Sequence, residues 1–352
     1  MSRRFWSQLA ANLEPYVPGE QPQHKRLLKL NTNESPFPPS PRVREAIASV
    51  SDQDLLRYPD PGSEKLRQVM AGFYAVDSAQ IFVGNGSDEV LSHVFAGLLK
   101  HDAELLFPDI TYSFYPVWCQ LHGIRYREVP LREDFRIVAE DYATYAAAVI
   151  FPNPNAPTGN LQSLNEIRDF LDRAPERLIV VDEAYIDFGG ESAVSLIDQY
   201  DNLLIVQTLS KSRALAGLRI GLAIGNEALI EALIRVKDSF NSYPLDVVAQ
   251  RAAVASFEDD AGFRDNCRSL VATREKLAAD LRLRGFEVLP SAGNFLFVRH
   301  EHQPGLALFN ALRERGVILR RWNKSRIENY LRISIGTSAQ CERLLSELDA
   351  VL

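Results

Sequence analysis

A large α/β domain with a mostly parallel sheet, joined to a smaller α+β domain, is the fold class this sequence predicts. The first observation is alternation. Strand-like segments at Gln80–Val83, Ala103–Phe107, Ile124–Val129, Ala147–Phe151, Leu178–Val181, Leu203–Gln207 and Arg219–Ile224 make seven strands. Helical patterns such as Ser87–Leu99, Tyr112–His122 and Leu164–Arg173 lie between them, which predicts parallel strands covered by helices. The second observation is that strands such as Leu178-Ile179-Val180-Val181 are apolar throughout, as strands buried on both faces are. The third is a change of character after about Asp246. Long helices run to about Arg284, and a strand–helix–strand–strand–helix run follows. The expected division is an N-terminal segment, 1–40, packing with the small domain; a large domain, 41–250; and a small C-terminal domain, 251–352.

Pro and Gly supply the punctuation. Pro15, Pro18 and Pro22 end a first short helix, whose apolar face is expected from Phe5, Trp6, Leu9 and Leu13. Asn31 to Pro41 and Arg57 to Ser63 are too Pro-rich and polar to be helical.

Composition narrows the function classes. Of 352 residues, 46% are hydrophobic and 24% charged, as in ordinary globular proteins. The formal charge, 39 − 46 = −7, and the lack of a basic block argue against nucleic-acid binding. No apolar stretch approaches the ~18 residues needed to span a bilayer, so no membrane partner is expected. Ser2-Arg3-Arg4-Phe5 looks like the start of an export signal, but Ser7, Gln8, Asn12 and Glu14 interrupt the apolar run such a signal needs. Cys119, Cys267 and Cys341 are odd in number and far apart, which excludes a disulfide framework and argues against a metal site. A cytoplasmic location is expected.

In open α/β sheets ligands bind beyond the carboxyl ends of the strands, so the residues there are the candidates. After Ile81-Phe82-Val83 comes Gly84-Asn85-Gly86-Ser87-Asp88-Glu89 and then a helix. Free N–H groups and the helix dipole make such a turn a phosphate cradle; a helix capped by Ser87 accounts for the stretch equally well. Glu89 stands where a dinucleotide fingerprint needs its third Gly, which excludes a dehydrogenase. Asp182 ends a doubly buried strand and is either a structural cap or the partner of a ligand cation. Lys211 follows another strand, among hydroxyls and arginines that would lower its pKa; the alternative is a solvated basic loop. The Pro-rich loop Pro152 to Gly159 presents Asn153 and Asn155, or is a purely structural turn. In Leu331-Arg332-Ile333-Ser334-Ile335 the apolar residues share one face and Arg332 the other, either as surface or as an anion site. Taken together at the ends of one sheet, these residues supply what pyridoxal phosphate needs: an anion site, a carboxylate for the ring nitrogen and an amine for the aldehyde.

At these residues the chain resembles the fold-type-I pyridoxal-phosphate aminotransferases, and within them the histidinol-phosphate subfamily. The resemblance covers essentially the whole chain. It is carried by KLNTNESPFPPSP (Lys29 to Pro41), RYPDPGS (Arg57 to Ser63), VGNGSDEV (Val83 to Val90) and FPDITYSFYP (Phe107 to Pro116). It continues in FPNPNAPTG (Phe151 to Gly159), VVDEAYIDF (Val180 to Phe188), TLSKSRALAGLR (Thr208 to Arg219) and LRISIGT (Leu331 to Thr337). The resemblance implies amino transfer between L-histidinol phosphate and 2-oxoglutarate, giving imidazole acetol phosphate and L-glutamate in histidine biosynthesis, by a homodimer with shared sites. It implies that Lys211 bonds the cofactor's aldehyde and then moves the proton, that Asp182 holds the ring nitrogen, and that Tyr185 meets the ring oxygen. Tyr112 would stack on the ring. Gly86, Ser87, Asp88, Thr208, Ser210 and Arg219 would hold the phosphate, joined by Tyr58 from the other subunit. Arg332 would bind the substrate anion, with Tyr16, Asn33 and Arg320 nearby. Two departures stand out. Ala156 occupies the place before Pro-Thr-Gly where many relatives carry the Asn that meets the ring oxygen, so Asn155 is expected to substitute. Ser35 and Phe37 depart from the subfamily's usual Asn-Glu-Asn-Pro-Tyr.

Overall fold

The structure is a computed structural model that describes residues 4–21 and 27–352; Ser2, Arg3 and Pro22 lie outside the described residues. Its strands, in chain order, are β1 (Leu28–Lys29), β2 (Ile81–Gly84), β3 (Leu105–Pro108), β4 (Tyr126–Val129), β5 (Ala148–Pro152), β6 (Leu178–Asp182), β7 (Leu203–Thr208), β8 (Gly221–Gly225), β9 (Phe286–Val288), β10 (Phe295–His300), β11 (Val317–Ile318), β12 (Arg320–Arg321) and β13 (Leu331–Ser334).

The seven expected strands form one sheet in the order β2-β8-β7-β6-β5-β3-β4. Pairings from β4 through β7 are parallel, while β8 runs antiparallel to both its neighbours. Ile179, Val180 and Val181 on β6 are wholly buried, as their uninterrupted apolar run requires. Helices cover both faces. Leu164–Arg173 shows how the sequence specifies them: Ser163 and Glu166 form a capping box, and Ile167, Phe170 and Leu171 make the buried stripe.

A second, four-stranded sheet, β12-β13-β10-β9, is antiparallel and packs with Asp260–Arg282 and Ser338–Asp349 around its own core. The small domain holds more strands than the sequence pattern implied, because β11 and β12 have two residues each and no periodicity to read. Its boundary also differs from the expected residue 250. Val247–Glu258 buries Ala249, Ala252, Ala253 and Phe257 in the large core, so the large domain's packing extends to residue 258.

The N-terminal segment divides its contacts. Leu28 and Leu30 belong to the small core, and β1 pairs with β11. Further back, Gln120 bonds Asn12 and Glu14, and Tyr16 stacks on Phe114 at 4.6 Å, both on the large domain. The first helix is only Gln8–Asn12 and buries none of its residues. Phe5, Trp6 and Leu9 are exposed, Phe5 at 87%, so their expected apolar face is not buried in either core. Cys119, Cys267 and Cys341 are buried free thiols. Among the described residues no helix is long and apolar enough to cross a membrane.

Candidate active site

Pro152, Asp182 and Thr208 are the last residues of three adjacent parallel strands, β5, β6 and β7, and all three line one cavity of about 230 Å³. The cavity lies at the carboxyl edge of the sheet, where α/β proteins place ligands. Its far wall comes from the small domain and the N-terminal segment through Arg320, Trp322, Arg332, Tyr16, Asn31 and Thr32.

At one end stands the amino terminus of helix Gly86–Gly97. The N-cap is Asn85 rather than Ser87; Glu89 accepts from the Asn85 N–H at 2.5 Å, and Ser87 lines the cavity. Gly86 has φ +84°, and a Cβ there would lie 2.5 Å from Arg219 Nη2. A Cβ on Gly221 would lie 2.4 Å from the Ser87 nitrogen, so two glycines let β8 and the helix turn close around this end. Thr208 donates to Ser210 at 3.0 Å, and Arg219 reaches both Ser210 (3.4 Å) and Asp88 (3.2 Å). Free N–H groups, two hydroxyls and a guanidinium thus face one point, which is an anion site.

In mid-cavity, Asp182 accepts from the Tyr115 hydroxyl at 3.1 Å and the Ala184 N–H at 3.2 Å. Burial pushes its carboxyl up to about 6, against the pull of those donors. A cation placed beside it would restore full ionisation. Lys211 donates to the Thr32 carbonyl at 3.0 Å and forms no salt bridge among the described residues. Burial and the Arg332 charge beside it bring its amine down to about 8, so a substantial neutral fraction exists near neutral pH. The turn carrying it is clamped on both following residues. Ser212 donates to Asp187, and the Arg213 guanidinium lies 3.8, 4.1 and 4.8 Å from the ring centres of Phe257, Phe263 and Phe73. Tyr185 packs edge-on against Phe295, and Tyr112 donates to Asp88 at 2.9 Å.

On the far wall, Arg332 donates to the Asn31 carbonyl at 2.8 Å while its Nε is buried and unpaired. Arg332 and Arg320 flank Trp322 at 5.3 and 5.6 Å. Neither forms a salt bridge among the described residues. Two guanidiniums without carboxylates in one cavity make a second anion site, opposite the first.

The structure therefore gathers Ser87, Asp88, Tyr112, Asp182, Tyr185, Thr208, Ser210, Lys211, Arg219, Tyr16, Arg320 and Arg332 around one cavity, with Gly86 behind it. Three expected residues fall elsewhere. Asn155 is wholly buried and donates to the Ile110 carbonyl and to Thr158 Oγ1, both at 3.0 Å, while its neighbour Ala156 lines the cavity. Asn33 is also wholly buried. It lies behind Tyr185, to which its amide donates at 3.1 Å, rather than against substrate space. Tyr58 is 81% exposed, stacks on Tyr243 at 4.7 Å and lines no part of its own chain's cavity. Sequence reasoning missed Tyr115, Thr32 and Trp322. A Trp within the basic run Arg320-Arg321-Trp322-Asn323-Lys324 was the one legible sign.

Comparison with known proteins agrees with this geometry. The family model for aminotransferase class I and II matches residues 25–348. The chain belongs to this aminotransferase family. Among its relatives, the histidinol-phosphate aminotransferase 1 of Pseudomonas aeruginosa is 55% identical over 345 residues, 98% of either chain. A histidinol-phosphate aminotransferase of Pseudomonas putida is 56% identical, covering 98% of this chain and 99% of the relative. The crystal structure of the histidinol-phosphate aminotransferase from Sinorhizobium meliloti, in complex with pyridoxal 5′-phosphate, superposes with a TM-score of 0.89 at 25% identity, covering 99% and 97% of the two chains. The fold-type-I resemblance read from the sequence is thereby borne out. As a transaminase of this family, the aminotransferase works with pyridoxal 5′-phosphate. Its residues fit that group: the glycine-lined cradle suits the phosphate, the buried Asp182 suits a protonated ring nitrogen, and the amine of Lys211 suits the aldehyde.

Proposed function

We propose that this aminotransferase exchanges the amino group between L-histidinol phosphate and 2-oxoglutarate, giving imidazole acetol phosphate and L-glutamate, as a cytoplasmic homodimer in histidine biosynthesis. The observation that carries the substrate reading is the unpaired Arg332–Arg320 wall facing Lys211, together with the activity named for relatives more than half identical along the chain. One substrate brings a phosphate and no carboxylate, the other carboxylates and no phosphate. A guanidinium fork binds either bidentately, so one wall serves both half-reactions in turn.

When bound, the cofactor supplies an electron-accepting ring conjugated to the substrate nitrogen. Asp182, held in place by Tyr115, would keep a proton on the ring nitrogen. Tyr185 would donate to the ring oxygen. Lys211 would bond the cofactor's aldehyde at rest, and its free amine would take and return the proton at the substrate carbon that bears nitrogen. Arg219, Ser210, Thr208 and the Gly86–Asp88 backbone would hold the phosphate and keep the group in place while substrates exchange. The exposed pair Tyr58–Tyr243, beside exposed Leu55, Leu56 and Phe240, supports placing Tyr58 in a second subunit's site.

The test is a half-reaction titration. Holoenzyme is mixed separately with histidinol phosphate, phenylalanine and threonine phosphate, and loss of the cofactor's visible band is followed. Conversion with histidinol phosphate at least about a hundredfold more efficient than with phenylalanine, ~2.7 kcal/mol in transition-state binding, is the expected result. A preference for phenylalanine moves the enzyme to aromatic substrates, and CO₂ release from threonine phosphate moves it to a lyase. Sedimentation as a monomer would overturn the shared-site reading.

A further inference from the structure

Tyr185 is held by a residue 152 positions earlier in the chain. Asn33 Nδ2 donates to the Tyr185 hydroxyl oxygen at 3.1 Å. The same amide's Oδ1 accepts from Ser334 Oγ at 2.8 Å, and Ser334 Oγ accepts from the Asn33 N–H, also at 2.8 Å. The Asn33 carbonyl accepts from Asn294 at 2.9 Å, and its backbone has φ +55°, a conformation Asn tolerates better than most side chains. Every polar atom of Asn33 is therefore engaged, and the residue has no exposed surface.

The polarity of this chain of bonds is determined. Ser334 has one proton, and the Asn33 N–H already donates to its oxygen, so that proton goes to Asn33 Oδ1. Reversing the amide would put two donors on the Ser334 oxygen and leave its proton without the acceptor it has now. Nδ2 must then face Tyr185, and the Tyr185 oxygen is an acceptor at that contact. Its own proton is directed into the cavity, where no side chain of the Pro152–Gly159 loop competes for it: Ala156 offers only a methyl group and the Asn155 amide points away.

We propose that Asn33 is a positioning residue which fixes the direction of the Tyr185 hydrogen bond toward the cofactor's ring oxygen, and that Ser334 fixes Asn33. This rests on the reading of Tyr185 as the ring oxygen's partner. The arrangement ties the end of β13, in the small domain, to the electronic state of a group held by the large domain. The charged groups facing the hydroxyl are Arg332, Asp182 and Asp88, with Lys211 lying 5.9 Å over the Tyr185 ring.

The experiment is a pH titration of the holoenzyme's visible absorbance in Asn33→Asp, Tyr185→Phe and the double variant. Tyr185→Phe comes first: an unmoved midpoint in that variant overturns the underlying reading of Tyr185 and says nothing against the Asn33 geometry. Asp at position 33 keeps the shape but accepts from Tyr185, drawing its proton away from the ring. The midpoint in Asn33→Asp is expected to rise by about one pH unit, and by less than half as much in the Tyr185→Phe background. An absent shift, or an equal shift in both backgrounds, overturns the proposal, since a structural or purely electrostatic role would not need the hydroxyl. Should Asn33→Asp not fold, Ser334→Ala is measured in its place. It is expected to raise the midpoint only when Tyr185 is present, and an unmoved midpoint overturns the proposal equally.

Discussion

On the large-domain side of the cleft the charged groups answer one another: Asp88 accepts from Tyr112 and faces Arg219, and Asp182 accepts from Tyr115. On the small-domain side Arg332 rests on a backbone carbonyl, with one nitrogen unpaired, and Arg320 stands beside it without a carboxylate. The first surface is preorganised for one occupant that stays. The second holds positive charge in reserve for anions that come and go, at the cost of mutual repulsion while it waits. A transaminase needs both kinds of surface, because its cofactor is shared by two half-reactions and its substrates are not.

The largest expected effect separates the two sides at their common point. Lys211→Ala should lower turnover by about 10⁴-fold or more and abolish the visible band of the lysine-bound cofactor. A normal yellow holoenzyme in that variant would end the assignment. Next comes the far wall. Arg332→Ala should lower kcat/KM by about a hundredfold for histidinol phosphate and for glutamate alike, leaving the cofactor bound. Loss with only one substrate would break the shared wall into two separate sites. A smaller effect reads the lysine itself. Burial and Arg332 disfavour its cationic form, so the amine is protonated below about 8 and neutral above. Capture of pyridoxal phosphate by the cofactor-free chain should therefore quicken by about tenfold per pH unit up to pH 8 and then level off. A midpoint near the ordinary 10.5 would show that burial and Arg332 leave Lys211 unperturbed. Smallest is Tyr115→Phe. It removes one hydrogen bond from Asp182, worth about 1 kcal/mol, and should loosen cofactor binding about fivefold with no change at the arginine wall.

The large-domain surface was also the more legible one. Its residues sit at strand ends, and strands β2 to β8, except the mostly exposed β4, announce themselves by apolar runs; the structure reproduces the strand ends to within two residues. Once the strands are placed, Asp182, Thr208 and Lys211 can be assigned without knowing any contact. Arg332 was legible for a related reason, since alternation along β13 sends Leu331 and Ile333 to the core and Arg332 to the opposite face. The errors fall where no periodicity operates. Asn155 and Ala156 are neighbours in an irregular loop, and only tertiary packing decides which of them faces the ligand. Asn33 lies in a segment whose direction is set by Ser334 and Asn294, far along the chain. Tyr115 was hidden because a buried Tyr on a helix reads as core; its hydroxyl's partner, on another element, is invisible to helical spacing.

Three consecutive residues, Asn31, Thr32 and Asn33, hold Arg332, Lys211 and Tyr185 respectively. Chain length, not chemistry, governs when that can happen. The bond between Asn33 and Ser334 closes a loop of 301 residues, and closure of such a span must wait until both cores give its ends something to rest on. During synthesis the segment that threads the active site leaves the ribosome about 300 residues before its partners at 332 and 334. Catalytic competence thus arrives as a final act of folding, and a chain that has built its large domain alone is a scaffold still waiting for its enzyme.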